Sequence, residues 1–233
     1  MGIVRMGVPH ELVLQLAQAY DVQHFIETGT YLGGTAVWAA QYFAQVLTIE
    51  LSESIYRQTS TQYAHLKNID FRFGDSRQVL TELAPTLSKP AIFWLDGHWS
   101  GGETYGADDQ CPLLEEIQAI NASPVPHYIL IDDARLFTST PPKPQIAAMW
   151  ADISQVMDEL RRVHDYFIVI IEDAIIAVPP SAKTLLQDYC QAVNTRAWEA
   201  YGREQSRSMF ERSLTHLRIG AGLMRRALLG QAK

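Results

Sequence analysis

Tyr166-Phe167-Ile168-Val169-Ile170-Ile171-Glu172-Asp173-Ala174-Ile175-Ile176-Ala177-Val178 is the stretch whose reading decides the fold. It holds two apolar runs of strand length with only Glu172-Asp173 between them. A parallel crossover needs a dozen or more residues, so strands this close in sequence pair as an antiparallel hairpin. Pro179-Pro180 ends the second run, because proline cannot continue a ladder.

Everything before this hairpin has a different rhythm. Short apolar runs at Phe25-Ile26, Val46 to Ile49, Ile69 to Phe73, Ala91 to Leu95 and Tyr128 to Ile131 read as buried strands. Stretches with helical spacing separate them: Gly34 to Ala44, Ser52 to Leu66, Ser76 to Leu87 and Pro112 to Asn121, with His10 to Tyr20 in front. Such alternation predicts an α/β fold, a parallel sheet covered by helices on both faces. Right-handed crossovers make it doubly wound. An amphipathic stretch, Gln145 to Val163, leads into the hairpin, so five parallel strands are closed by an antiparallel pair. The expected division is a domain over 1–180 and a helical, basic extension over 181–233.

Composition narrows the class. A chain of 233 residues, 47% hydrophobic, suits one α/β domain with an appendage. A net charge of -7 gives no general reason to expect nucleic acid as a partner. Two cysteines, Cys111 and Cys190, suit a reducing compartment. The start, Met1 to Met6, carries no secretory pattern, and no apolar run approaches a membrane-spanning length. The expectation is a cytoplasmic protein with no transmembrane segment.

The first strand runs into Glu27-Thr28-Gly29-Thr30-Tyr31-Leu32-Gly33-Gly34. Glycines at a strand-to-helix turn let the backbone approach a ligand closely. Their G-x-x-x-G spacing is not the G-x-G-x-x-G of dinucleotide binding, which argues against a nicotinamide-dependent reductase. Glu50 closes the second strand, where a carboxylate can accept from both hydroxyls of a ribose. Asp75 and Ser76 follow the third, within reach of an adenine amino group. The plainer alternative makes Glu27 and Asp75 charges complementing helix N-termini and Glu50 a cap.

Taken together, Glu27-x-Gly29-x-x-x-Gly33, Glu50 and Gly74-Asp75 resemble the donor site of class I S-adenosyl-L-methionine-dependent methyltransferases, over residues 10 to 180. The resemblance implies a Rossmann-like seven-stranded sheet with an antiparallel C-terminal hairpin. It implies that Gly29 and Gly33 flank the methionine part of S-adenosyl-L-methionine, that Glu50 holds the ribose, that Asp75 or Ser76 faces the adenine, and that Glu27, Thr30 and Asp96 complete the site.

The fourth strand ends in Asp96-Gly97-His98-Trp99-Ser100-Gly101-Gly102 and the fifth in Asp132-Asp133. Three carboxylates converging at one sheet end repel one another unless a cation is present, and an all-oxygen set suits Mg²⁺, Ca²⁺ or Mn²⁺ and not a structural Zn²⁺. This half resembles metal-dependent O-methyltransferases of the sugar and catechol types, which implies one Mg²⁺ on Asp96, Asp132 and Asp133 and a small-molecule hydroxyl as acceptor. The Asp-Gly-His-Trp-Ser-Gly-Gly run departs from the usual strand ending there. His98, two residues past Asp96, is the candidate general base. A metal-independent enzyme using His98 alone is the competing version.

Gly101 to Gln110, with Tyr105 and the Gly101-Gly102 pair, is a candidate lid. Residues 196–233 carry eight Arg or Lys against three Glu. Between Ser206 and Leu229, Met209, Phe210, Leu214, Leu217, Leu223, Met224 and Leu228 recur among arginines, a pattern suited to packing or a homodimer contact. A non-catalytic module docking a partner through this tail is the alternative from another functional class.

Overall fold

Period-two alternation places Phe25, Ile92, Trp94 and Tyr128 on one face of the sheet and Ile26, Phe93, Leu95, Ile129 and Ile131 on the other. Both sets are buried, so both faces are covered. These residues come from a computed structural model that describes residues 7–99 and 109–206. The candidate lid lies outside the described residues except for its last two positions, and the apolar and basic stripe from Met209 to Leu228 lies outside them altogether.

Seven strands form one sheet: β1 (His24–Thr28), β2 (Gln45–Glu50), β3 (Ile69–Phe73), β4 (Ile92–Leu95), β5 (Tyr128–Ile131), β6 (Phe167–Ile171) and β7 (Ala174–Val178). Their order is β3-β2-β1-β4-β5-β7-β6. β1 to β5 pair in parallel, β7 runs antiparallel to β5, and β6 runs antiparallel to β7. The hairpin expected from Tyr166 to Val178 is therefore present and holds the reversed strand.

The helices are α1 (His10–Tyr20), α2 (Gly34–Ala39), α3 (Glu53–Gln62), α4 (Ser76–Leu83), α5 (Leu113–Asn121), α6 (Arg135–Thr138), α7 (Ile153–Leu160) and α8 (Lys183–Ser206). Leu80 of α4, Ile117 and Ile120 of α5, and Val156 and Leu160 of α7 join Phe93, Leu95, Ile129 and Ile131 in one core cluster. On the opposite face Phe25 meets Trp38 of α2 edge-on and Tyr20 of α1 lies against Tyr128. Each fully buried Leu, Ile or Phe contributes about 1.5–3 kcal/mol, which makes this two-faced core the main source of stability.

Three elements differ from the sequence expectation. The α2 helix stops at Ala39, and its carboxyl end tightens into a turn before β2. The Gln145 to Val163 stretch is α-helical only over Ile153–Leu160, after a 3-10 turn at Ala147–Met149, because Asp152 and Gln155 form a capping box that fixes the start there. A one-turn helix, α6, follows β5.

The amino ends of the central strands are closed by His127. Its Nδ1 accepts from the Ala91 amide at 3.0 Å, its Nε2 donates to the Ser123 hydroxyl at 2.7 Å, and burial holds its pKa at about 4. That end is structural, and the carboxyl ends are left to carry chemistry.

The chain divides into two compact units, Met1–Asp188 and Tyr189–Lys233. The first contains the whole sheet. In the second, α8 continues to Ser206 with Trp198 and Tyr201 exposed.

Candidate active site

The turn after β1 is tied to its neighbours by its own backbone. Gly29 and Thr30 amides both donate to the Ile49 carbonyl, at 2.9 and 3.3 Å, and the Gly33 amide donates to Thr30 at 2.8 Å. Gly29 and Gly33 have φ of 84° and 76°, a region that glycine enters without strain. At Gly29 a second constraint applies: a Cβ there would lie 2.3 Å from the Asp96 carbonyl oxygen. The β1–α2 turn and the end of β4 cross at bare backbone.

Glu27 lies beneath this turn, buried. Thr48 donates to its Oε2 at 2.7 Å, and Thr30 in turn donates to Thr48 at 2.7 Å. Burial pushes its pKa up to about 8, with the charges of Asp96 and Glu50 adding and hydrogen bonds from Thr48 and Thr35 opposing. Glu50 is held by two backbone amides, Tyr31 on Oε2 at 3.0 Å and Ser52 on Oε1 at 2.8 Å. Each oxygen keeps a lone pair for a further donor. Glu27, Gly29, Thr30, Gly33 and Glu50 are thus brought together at adjacent strand ends.

Asp75 is engaged otherwise. It caps α4 by accepting from the Arg77 amide at 2.9 Å, and the Arg77 guanidinium grips both its oxygens. These hydrogen bonds from Arg77 hold its carboxyl below the ordinary range against the effect of burial. Arg77 also reaches Asp109 at 2.6 Å. Ser76 points inward instead, to the carboxyl of Glu116.

Glu116, on α5, is a site residue that sequence reasoning missed. It is 1% exposed, its Oε1 faces the bare Cα of Gly97 without a hydrogen-bond partner, and burial raises its pKa to about 7 against hydrogen bonds from Ser76 and Thr28. Position 116 reads in the sequence as an ordinary acidic residue in a first helical turn. Only the approach of β1, β4 and α4 encloses it.

At the acceptor end the ladder carries on past the strands: the Asp96 amide donates to the Thr28 carbonyl and the Asp132 amide to that of Leu95, both at 3.1 Å. His98 stands between carboxylates, with Nε2 3.0 Å from Asp133 Oδ2 and Nδ1 3.7 Å from Asp96 Oδ1. Its ring meets Trp150 edge-on, with centroids 5.3 Å apart. Burial opposes protonation of His98, but Asp133, Asp96 and Asp132 outweigh it and raise the pKa. Burial raises Asp96 to about 7, with the charges of Asp132, Asp133 and Glu116 adding, and raises Asp132 to about 6, with those of Asp133 and Asp173 adding. The side chain of His98 is only 6% exposed, whereas that of Asp96 is 35% exposed. The accessible edge of the pair belongs to Asp96.

Asp132 and Asp133 do not stand free beside Asp96. Asp132 Oδ1 accepts from the Asp133 amide at 2.7 Å. Asp133 uses Oδ2 for His98 and Oδ1 for Arg135, the latter at 2.7 Å. Arg135 also binds Asp173 of the hairpin turn. Among the described residues no three His, Cys, Asp or Glu side chains are placed to hold a metal ion. As folded, the set Asp96, Asp132 and Asp133 does not fit Mg²⁺, because Asp133 gives one oxygen to His98 and the other to the Arg135 cation, and a resident guanidinium there repels a divalent ion.

No family model matches the sequence, and no curated protein matches it significantly. Solved structures do match. A protein from Staphylococcus aureus provisionally named a caffeoyl-CoA O-methyltransferase superposes with a TM-score of 0.50 at 14% identity, over 75% of this chain and 85% of that one. The SAH-bound methyltransferase PaMTH1 from Podospora anserina gives 0.49 at 16% identity, over 75% and 79%. The sheet order, the reversed β7 and this superposition define one class: the chain has the Rossmann-like fold of class I methyltransferases.

Proposed function

We propose that this chain is an S-adenosyl-L-methionine-dependent methyltransferase acting on a hydroxyl of a small molecule. The observation that carries the reading is the crossing at Gly29 and Asp96, flanked by Glu27 and Glu50 at the neighbouring strand ends. It leaves bare backbone and acceptor oxygens where a nucleoside bearing a cationic amino-acid tail needs them. When bound, the donor supplies an electrophilic methyl group on a sulfonium. Glu50 offers lone pairs to ribose hydroxyls, and Glu27, protonated near neutral pH in the donor-free protein, ionises when the cationic amino group of the methionine end arrives beside it. On the adenine side the Asp75 carboxylate is committed to Arg77 and the Ser76 hydroxyl to Glu116, which leaves backbone groups at this strand end to face the base.

Transfer to oxygen requires a group that takes the hydroxyl proton. Asp96 is exposed enough to meet an acceptor, and a carboxyl titrating at about 7 works as a base near neutral pH. His98 stands behind it, oriented by Asp133 and Trp150, and balances the charge on Asp96. Base chemistry is thus shared by Asp96 and His98 rather than resting on His98 alone. Magnesium assistance is not carried into this reading, because the oxygens of Asp133 are taken.

Neither Cys111 nor Cys190 is in a disulfide, in keeping with a reducing, cytoplasmic setting. Among the described residues no helix is long and apolar enough to cross a membrane. Residues 181–233 are proposed as the helical extension through which a homodimer forms. Isothermal calorimetry with S-adenosyl-L-methionine and its demethylated product tests the donor half, and radiolabelled methyl transfer to a hydroxylated compound library tests the acceptor half. Absence of donor binding to the wild-type chain overturns the proposal.

A further inference from the structure

Arg135 is the group that neither the donor turn nor the proton-accepting pair uses. Its guanidinium donates to Asp133 Oδ1 at 2.7 Å and also binds the Asp173 carboxylate. Backbone contacts reinforce the bridge: the Arg135 amide donates to Asp173 Oδ1 at 3.0 Å, and the Ala134 amide donates to the Asp173 carbonyl at 2.7 Å. Asp133 and Asp173 both hold the left-handed conformation, with φ of 56° and 63°. Neither is a glycine, so the surroundings must hold the two turns in place. The arginine thus joins the turn after β5 to the turn between β6 and β7, close against the carboxylate that orients His98.

The charges facing this point are Asp96, Asp132, Asp133 and Asp173, against His98 and Arg135. Four carboxylates at one sheet end need a counter-ion. A guanidinium is a permanently charged planar fork that can serve two carboxylates at once, which an ammonium on a flexible stem does less well. It also leaves Asp133 in a fixed orientation toward His98 Nε2.

We infer that Arg135 is a built-in counter-ion standing in for a divalent cation at the acceptor end, a positioning residue that fixes Asp133 and through it His98 and Asp96. The inference rests on the methyltransferase reading for its effect on rate, but its metal-binding consequence is independent of any activity.

The experiment compares wild type, Arg135→Met and Arg135→Lys in the full chain, with Mn²⁺ as the probe. Calorimetry and Mn²⁺ paramagnetic resonance should show no uptake at this site by wild type, and a chelator should leave its turnover unchanged. Arg135→Met removes the charge at similar length. It should take up Mn²⁺, lose about 10- to 100-fold in kcat through misplacement of the pair, and keep its affinity for the donor. Added Mg²⁺ should return part of that kcat, a response that a purely structural role would not produce. Arg135→Lys keeps the charge and should remain silent to Mn²⁺ while losing less rate, which secures the test if Arg135→Met does not fold. Uptake of Mn²⁺ by wild type or by Arg135→Lys overturns the inference, as does a folded Arg135→Met that takes up none. Failure of wild type to bind the donor defeats the methyltransferase reading instead and leaves the Mn²⁺ comparison to decide the role of Arg135.

Discussion

Replacing Gly29 with alanine attacks a place where two strand ends touch through bare backbone. A Cβ at Gly29 would lie 2.3 Å from the Asp96 carbonyl oxygen and 2.9 Å from its carbon, and both are backbone atoms that no rotamer change can move. The φ of 84° adds about 1–2 kcal/mol for a residue with a side chain. Relieving the overlap by shifting the turn or the end of β4 costs about 1–3 kcal/mol more. The expected loss of stability is therefore about 2–5 kcal/mol, read by urea denaturation. Displacing Asp96 should also weaken the donor site and slow turnover. Gly34 is the internal control: nothing lies within 4 Å of a Cβ there and it begins α2, so Gly34→Ala should be neutral or stabilising by up to about 1 kcal/mol. If Gly29→Ala melts with wild type and binds donor equally well, the crossing is not a constraint and the argument built on it fails.

Glu50→Ala removes the acceptor of the Tyr31 and Ser52 amides together with the proposed ribose contact, and calorimetry should show donor affinity about 10- to 100-fold weaker. Turnover should rise with pH through about 7, where Asp96 becomes ionised and able to accept a proton, and Asp96→Asn should be slow and lack that limb in a pH–rate profile. Glu27 titrates at about 8 when folded against 4.5 ordinarily, so the folded state binds the extra proton. Its contribution to stability is whole below pH about 4.5 and is lost as pH rises through about 8. Glu27→Gln escapes this loss, and at pH 8 and above the gain for the donor-free protein is bounded at about 5 kcal/mol, at about 1.4 kcal/mol per pH unit. Thermal melts of both proteins from pH 5 to 9 that run parallel would contradict the assignment.

Local pattern was enough for the central strands, because each is a short apolar run buried on both faces, and for the reversed strand, because chain length forbids any other pairing of Phe167–Ile171 with Ala174–Val178. The proposed donor half was legible for the same reason: Glu27, Gly29, Gly33 and Glu50 sit at strand ends whose positions the strands fix. The acceptor half was legible only as a set of residues. That Asp96, His98, Asp132 and Asp133 meet follows from the pairing of β4 with β5. Which hydrogen bonds each carboxylate makes depends on contacts across the sheet with no local signal. Arg135 reaches Asp173 from 38 positions away, Trp150 comes to His98 from the part of the Gln145 to Val163 stretch that precedes α7, and Glu116 is enclosed by three separate elements. The reach of Arg77 onto Asp75 was closer to hand, since a basic residue two positions after a helix cap can turn back onto it.

The reversal of β7 bears on how proteins of this design diversify. Because β7 runs back beside β5, the turn at Glu172-Asp173 returns to the working end of the sheet although it follows every parallel strand in the chain. The proposed donor and acceptor ends are therefore encoded in separable stretches, β1 to β3 for one and the last hairpin for part of the other. Under the proposed function, exchanging Phe167–Val178 for another hairpin would change the charge presented at this sheet end without rewriting β1 to β3, which makes the hairpin a natural cassette for shuffling acceptor preference.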